Sequence, residues 1–285
     1  MNVLIMGGTG LLGRALASEA RQCGHEAVTM ARTGADFNFD AGAESALKSA
    51  LNTTDPDLVI NAAALVSHEA CEKDPAAAWR INAHPALVLA NWSRETNRPF
   101  VHISTDHYFD GDGARAHDET APVVLLNEYA RSKHAGEQYA LSAGKALVLR
   151  TAIAGFHPDG RGFAAWALNA LASGEPLTLF EDYYGSVIDT RAFAAAAFDL
   201  VQAGAHGLYN LASREVSSKA DFIRALAEAA AMDLTDAKSG SAKALEPRRA
   251  LSLGLDVGKA EHKLGHALPD RKTVCAALVR QWKDI

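Results

Sequence analysis

The sequence predicts an α/β fold: a Rossmann-type, doubly wound parallel sheet with a smaller C-terminal substrate-binding region. Three observations carry that prediction. Short apolar runs alternate with longer amphipathic stretches from residue 2 to about residue 151. The apolar runs are nearly continuous, as strands covered on both faces of a parallel sheet require. A glycine-spaced segment, MGGTGLLG (6–13), joins the first run to the first amphipathic stretch.

Taken in order, NVLIMG (2–7) reads as a buried strand and LLGRALASEARQCG (11–24) as the helix after it. HEAVTMAR (25–32) is a second strand and ADFNFD (35–40) a short third. AESALKSALNTT (43–54) is helical, and PDLVINAAA (56–64) is the fourth strand. Residues 74–97 read as one long helix that Pro85 kinks or divides, because proline removes a backbone donor and clashes with the preceding turn. PFVHIST (99–105) is a fifth strand, NEYARSKHAGEQYALSAG (127–144) a helix and KALVLRT (145–151) a sixth strand. Beyond residue 151 the pattern loosens. Residues 160–180 give a helix and a short strand, AFAAAAFDLV (192–201) a buried helix, GLYNLAS (207–213) a strand, and 218–232 a helix opened by Ser218. The polar stretch 235–250 reads as an exposed loop. The expected organisation is therefore a nucleotide-binding domain over 1–151 and a smaller region over 152–285, with part of 180–215 a candidate to return to the first sheet.

Composition narrows the function classes. A chain of 285 residues with 48% hydrophobic and 22% charged residues is ordinary for a globular protein. A formal net charge of −6 argues against nucleic acid as a partner. No stretch approaches the roughly 20 apolar residues of a membrane span, and the N-terminus lacks the basic start and longer apolar run of a secretory signal. Cys23, Cys71 and Cys275 are widely spaced with no CxxC pair, which suits reduced thiols and a cytoplasmic location. His68, His102, His107 and His134 have no metal-ligand spacing, so no metal is expected.

The chemistry sits at the C-terminal ends of the strands, where ligands of this architecture bind. Gly7, Gly10 and Gly13 follow a strand and open a helix, the context in which glycines let backbone approach a dinucleotide pyrophosphate. At the end of the second strand stands Arg32 with no acidic residue beside it, which favours the 2′-phosphate of NADP over NAD. Asp40, after the third strand, is within range of an adenine. Ser104, Thr105 and Asp106 end the fifth strand, either as turn residues or as polar groups beside the cofactor. Tyr129, Lys133 and Glu137 share one stripe of a helix. By spacing alone that stripe is either a solvated face or a tyrosine beside the cation that acidifies it.

Together these features resemble the short-chain dehydrogenase/reductase superfamily. The G-x-x-G-x-x-G spacing, NAAA (61–64) and INA (81–83) point to its extended branch, which acts on nucleotide sugars. STDHYFDG, NEYARSKHAGE, VLRT and LGLDVGKAEHKLGHALP (253–269) resemble the dTDP-4-dehydrorhamnose reductase family. The resemblance implies an NADPH-dependent reductase of a 4-keto-6-deoxy nucleotide sugar, with NADH as the second cofactor to test and a homodimer as the assembly. It implies Tyr129 as proton donor, Lys133 as the cation that favours tyrosinate and holds the nicotinamide ribose, and Thr105 as the donor to the ketone oxygen. Cofactor contacts are implied for Thr9, Leu11, Leu12, Ala62, Ala63, Ala64 and Asn82 besides the glycines, Arg32 and Asp40. Substrate contacts are implied for Ser104, Asp106, His107, Ile153, Asp182 and Gly185, and Glu137 remains a helix-face partner. The alternatives are an epimerase or dehydratase of the same branch, or a regulatory subunit of the same fold.

The chain also departs from that family. Ile153 stands where a tryptophan covers the sugar, and EDYYGSVID (181–189) keeps Asp182 and Gly185 but loses the following Pro-Thr. His68-Glu69 replaces a valine-aspartate pair, and Ala15 stands where some members carry a metal-binding glutamate.

Overall fold

The structure, a computed structural model, describes residues 1–40, 42–234 and 237–284. The chain first runs through β1 (Asn2–Met6), α1 (Leu11–Gln22), β2 (Glu26–Ala31), β3 (Phe37–Asn38), α2 (Glu44–Thr54), β4 (Leu58–Asn61) and α3 (His68–Lys73). Next come α4 (Pro75–Asn82), α5 (His84–Thr96), β5 (Phe100–Ile103), α6 (Glu128–Leu141) and β6 (Ala146–Arg150). It continues through β7 (Ala152–Ala154), α7 (Phe163–Ser173), β8 (Thr178–Phe180), β9 (Tyr184–Gly185), β10 (Val187–Asp189), α8 (Thr190–Gln202) and β11 (Gly207–Asn210). β12 (Ser217–Ser218), α9 (Lys219–Ala230), β13 (Lys238–Gly240), β14 (Ser252–Leu253), α10 (Gly258–Leu264) and α11 (Arg271–Lys283) complete it.

Two compact units result. The first comprises Met1–Thr105, Leu125–Arg150 and Ala194–Tyr209. Its sheet has seven strands in the order β11-β6-β5-β4-β1-β2-β3. β1 pairs in parallel with both β2 and β4, and β2–β3, β4–β5 and β5–β6 are parallel too. Val3 to Met6, Leu58 to Ile60 and Leu147 to Leu149 are buried, as a sheet covered on both faces demands. Leu4, Met30, Val59, Phe100 and Val148 pack with Leu47 of α2 and Leu89 of α5. Truncating one such leucine to alanine costs about 2–5 kcal/mol.

The second unit comprises Asp106–Val124, Thr151–Phe193 and Asn210–Ile285. Its core joins Leu168 of α7, Phe222, Ile223 and Leu226 of α9, and Val274 and Leu278 of α11. Small sheets surround that core: β7 with β10, β8 with β13, and β9 between β12 and β14. Helix starts follow local chemistry. Ser218 accepts from the Asp221 amide to open α9, and Asp270 accepts from Thr273 to open α11.

The structure refines several expectations. The third strand is only Phe37–Asn38. The 74–97 helix is divided at Ala83, and Pro85 lies in the first turn of α5, where its missing N–H is harmless. α3, a polar six-residue helix, has no apolar period to announce it. Residues 106–124, within 1–151 by sequence, cluster with the second unit. The 235–250 stretch contains β13 and a 3₁₀ turn at Ala242–Ala244, not loop alone; Thr235 and Asp236 lie outside the described residues. Among the described residues no helix is long and apolar enough to cross a membrane.

Candidate active site

The glycine segment packs as a phosphate cradle. Gly7 takes φ +77°, and the Gly7 and Gly8 amides donate to the Met30 carbonyl at 2.8 and 3.0 Å. A Cβ on Gly7 would lie 2.9 Å from the Ala62 carbonyl and the Ala63 nitrogen, and one on Gly13 only 2.0 Å from the Gly7 oxygen. Side chains at either position are therefore excluded, and the turn stays open to a ligand's phosphates. α1 begins at Leu11 and Leu12 with Gly10 as its N-cap and no side-chain cap. Its first amides and positive dipole end suit an anion. These residues fit a dinucleotide pyrophosphate.

The β2–β3 turn lies against this cradle, since a Cβ on Gly34 would touch the Thr9 methyl at 3.8 Å. Arg32 is exposed there. Asp36 is an acidic residue near β2 that the sequence reading overlooked, but its carboxylate accepts from the Thr29 hydroxyl at 2.7 Å and amide at 2.8 Å. Those bonds hold it below the usual carboxylate range. Asp40 accepts from the Gly42 amide at 2.9 Å, a local turn contact.

Ala62, Ala63 and Ala64, after β4, are partly buried. Asn82 is committed to contacts within the protein. Buried at the end of α4, it accepts from the Leu65 amide and donates to the Leu65 carbonyl and the Ser132 hydroxyl, at 2.8, 3.1 and 3.0 Å. Both amide hydrogens and its oxygen are engaged, so Asn82 fastens Leu65 to α6. Asn61 likewise donates to His102 Nδ1 at 3.2 Å. Burial, with the Lys133 charge adding to it, keeps that imidazole neutral, well below its usual range.

α6 carries the catalytic candidates on its buried face. Asn127 caps it by accepting from the Ala130 amide. Tyr129 and Lys133 are 8% and 3% exposed, and Thr105 is 3% exposed. The Lys133 ammonium donates to the Ile103 carbonyl at 2.5 Å. Burial pushes its pKa down to about 8, with the Glu137 carboxylate acting in the opposite direction. The His68 ring tilts against Tyr129 with centroids 4.8 Å apart.

Glu137 is no surface partner. It is fully buried. It accepts from Ser104 Oγ at 2.8 Å and from Arg150 Nε and Nη2 at 3.0 and 2.7 Å. Ser104, expected at the substrate, therefore gives its hydroxyl to Glu137. The pair fixes the end of β5, which Thr105 follows, to α6 and to the end of β6. Breaking such a buried pair by removing one partner costs about 3–5 kcal/mol.

The remaining substrate candidates lie in the second unit. His107 Nε2 is 3.9 Å from an Asp106 oxygen. Ile153 in β7 registers with Ile188 of β10 and is partly buried. Asp182 accepts from the Ala242 amide at 2.8 Å and from the Ser241 hydroxyl at 2.5 Å, and Gly185 lies inside the small sheet opposite Ser217 and Leu253. Asp182 thus holds the 241–242 turn, and Gly185 belongs to the small sheet. Among the described residues no group of three or more His, Cys, Asp or Glu is arranged to hold a metal.

Sequence reasoning missed three residues: Glu137 as an anchor, Arg150 as its partner, and His68 against Tyr129. The i,i+4 step from Lys133 to Glu137 was visible; the partners were not, because they come from distant segments.

Comparison with known proteins adds a family. The model of the RmlD substrate binding domain family matches residues 1–283. A probable low-salt glycan biosynthesis reductase of Haloferax volcanii is 30% identical over all of this chain and 99% of its own length. The dTDP-4-dehydrorhamnose reductase of Burkholderia thailandensis is 33% identical over 79% of this chain and 77% of its own. A Bacillus anthracis dTDP-4-dehydrorhamnose reductase crystallised with NADP superposes with a TM-score of 0.87 at 22% identity, covering 99% of each chain.

Proposed function

The chain belongs to the RmlD substrate binding domain family, an extended short-chain dehydrogenase/reductase family, and from that membership we propose that it is an NADPH-dependent reductase of a 4-keto-6-deoxy nucleotide sugar. The observation that supports this reading best is the buried face of α6. Tyr129 and Lys133 lie on it, and Lys133 is bonded to the backbone two residues before Thr105.

In this reading Gly7, Gly10 and Gly13 hold the cofactor pyrophosphate and Arg32 its 2′-phosphate. NADPH, when bound, supplies the hydride to the ketone carbon. Tyr129 gives its phenolic proton to the ketone oxygen, so carbonyl, hydride and proton together yield the alcohol. Thr105 donates a hydrogen bond to that oxygen as negative charge builds on it. A free tyrosine has a pKa of about 10, and the Lys133 cation lowers the cost of the tyrosinate left behind. The Glu137–Arg150 pair keeps Thr105 and Lys133 in register across β5 and α6.

The three cysteines are unpaired, which fits a reducing cytoplasm, and a homodimer is the assembly we expect. The test is a screen for NADPH and NADH oxidation with dTDP-, UDP-, GDP- and CMP-linked keto sugars. Turnover of at least one of them is expected, with NADPH preferred. Cofactor binding without turnover of any keto sugar would leave the chain a binding or regulatory protein.

A further inference from the structure

We propose that Lys219, with the rings of Trp166, Phe163 and Tyr183, recognises the nucleoside diphosphate of the substrate, the ammonium binding the phosphate oxygens and the exposed indole stacking on the base. The inference rests on the nucleotide-sugar reading above.

The geometry lies wholly within the second unit. β9 and β12 pair antiparallel, with Ser218 opposite Tyr184, and the Lys219 amide donates to the Tyr183 carbonyl at 2.7 Å. That pairing carries the Lys219 side chain over two rings. Its Nζ is 4.4 Å from the Phe163 centroid and 5.3 Å from the Tyr183 centroid. Ring faces attract a cation but leave its N–H donors without strong acceptors. Among the described residues Nζ has no hydrogen-bond or ion-pair partner. Asp221 is engaged with Ser218 and Arg224 and Glu181 with Arg224, while the Asp106 carboxylate acts on Lys219 through its charge without a hydrogen bond to it.

The buried Lys133 ammonium donates to a protein oxygen, the Ile103 carbonyl. Lys219 does not, although burial lowers its pKa and Asp106 opposes that shift by favouring the charged form. A partly desolvated ammonium with unused donors is suited to an oxyanion, whose charge-assisted hydrogen bonds are the strong ones. Beside it, Trp166 is 50% exposed, its ring 5.9 Å from Phe163 and tilted 36°. An exposed indole packed on the same Phe163 ring that the ammonium covers is the pairing that a base joined to a diphosphate would use.

The experiment is calorimetry on the full chain with dTDP, UDP, thymidine, uridine and NADP⁺. Lys219→Met is expected to weaken binding of both diphosphates at least ~10-fold, the scale on which one charge-assisted contact acts. Lys219→Arg should restore most of it, and NADP⁺ affinity should stay as in the wild type. Nucleoside binding should respond to Trp166→Ala and not to Lys219→Met. Equal diphosphate affinity in wild type and Lys219→Met overturns this inference alone. A wild type that binds NADP⁺ but neither diphosphate overturns the nucleotide-sugar reading together with it. If Lys219→Met also loses NADP⁺, Trp166→Ala decides: at least ~10-fold weaker dTDP and UDP binding supports the assignment, and unchanged binding overturns it.

Discussion

Tyr129 and Lys133 differ in what each contributes, and the difference is measurable. Tyr129→Phe keeps the ring against His68 and removes only the proton. Turnover is expected to fall at least ~10²-fold, the low end for general acid catalysis, with NADPH affinity little changed; a variant with wild-type turnover would exclude Tyr129 as the donor. Lys133 sets a pH dependence. Its folded pKa of about 8 lies below the ordinary 10.5, so the ammonium is present below about 8 and is lost above it. Turnover that needs the cation should therefore decline as pH rises through about 8. Stability runs the other way. Between about 8 and 10.5 the unfolded chain binds the proton and the folded chain does not, so the penalty for burying the charge disappears as pH rises. Lys133→Met should lose the stability slope over that interval. Denaturant melts of both chains at several pH values read it, and identical slopes would mean that Lys133 is charged throughout.

At the scale of elements, α6 and the β2–β3 turn explain what the sequence could and could not disclose. Tyr129 and Lys133 were legible because a four-residue step along one helix is a local pattern. The role of Glu137 was not, because its partners Ser104 and Arg150 reach it from the ends of two strands, 33 residues before and 13 after. α6 also packs too closely for a methyl at Gly136: a Cβ there would stand 2.4 Å from the Asn82 carbonyl oxygen and 3.2 Å from His102 Nε2. Alanine improves intrinsic helix propensity by about 1 kcal/mol. Overpacking against a backbone oxygen costs about 1–3 kcal/mol and dominates here, because Asn82 is itself fastened on both sides. Gly136→Ala is expected to lower Tm by several degrees, at about 2–4 °C per kcal/mol, and an unchanged or higher Tm would show that α4 yields. In the β2–β3 turn, Thr29 occupies the Asp36 carboxylate, leaving Arg32 as the exposed charged group for a 2′-phosphate. Arg32→Ala should weaken NADPH binding and spare NADH; calorimetry with both cofactors checks it, and a parallel loss of both would remove Arg32 from cofactor choice.

For the molecule as a whole, the nucleotide-binding sheet was the legible half. Its strands are continuous apolar runs in chain order, and its catalytic and cofactor candidates all fall in the first unit. The second unit was obscure because its contacts are long-range. His117 bonds the Gly254 backbone and Asn210 bonds the His117 carbonyl, and these tie 106–124 to the C-terminal segments with no local signature. In the proposed function, substrate choice falls to this second unit. Ile153, where the family resemblance calls for a tryptophan, sits in β7 beside Ile188 of β10 and offers no flat face to a pyranose. Asp182 and Gly185, the residues retained from the family's nucleotide segment, are occupied by Ser241, Ala242 and the small sheet. Other rings of this unit are Phe163 and Tyr183, which lie under the Lys219 ammonium, and Trp166, which packs against Phe163. If Lys219 takes the diphosphate as proposed, the nucleotide end is held more firmly than the sugar. The chain is therefore expected to turn over a keto sugar other than dTDP-4-dehydrorhamnose with the higher kcat/KM, and Ile153→Trp should raise efficiency on the rhamnose precursor relative to the preferred substrate. A direct comparison across the keto-sugar panel decides. If the wild type already reduces dTDP-4-dehydrorhamnose best, at or above roughly 10⁴ M⁻¹s⁻¹, loss of the tryptophan has not moved the specificity, and the contacts that set it lie elsewhere than at Ile153.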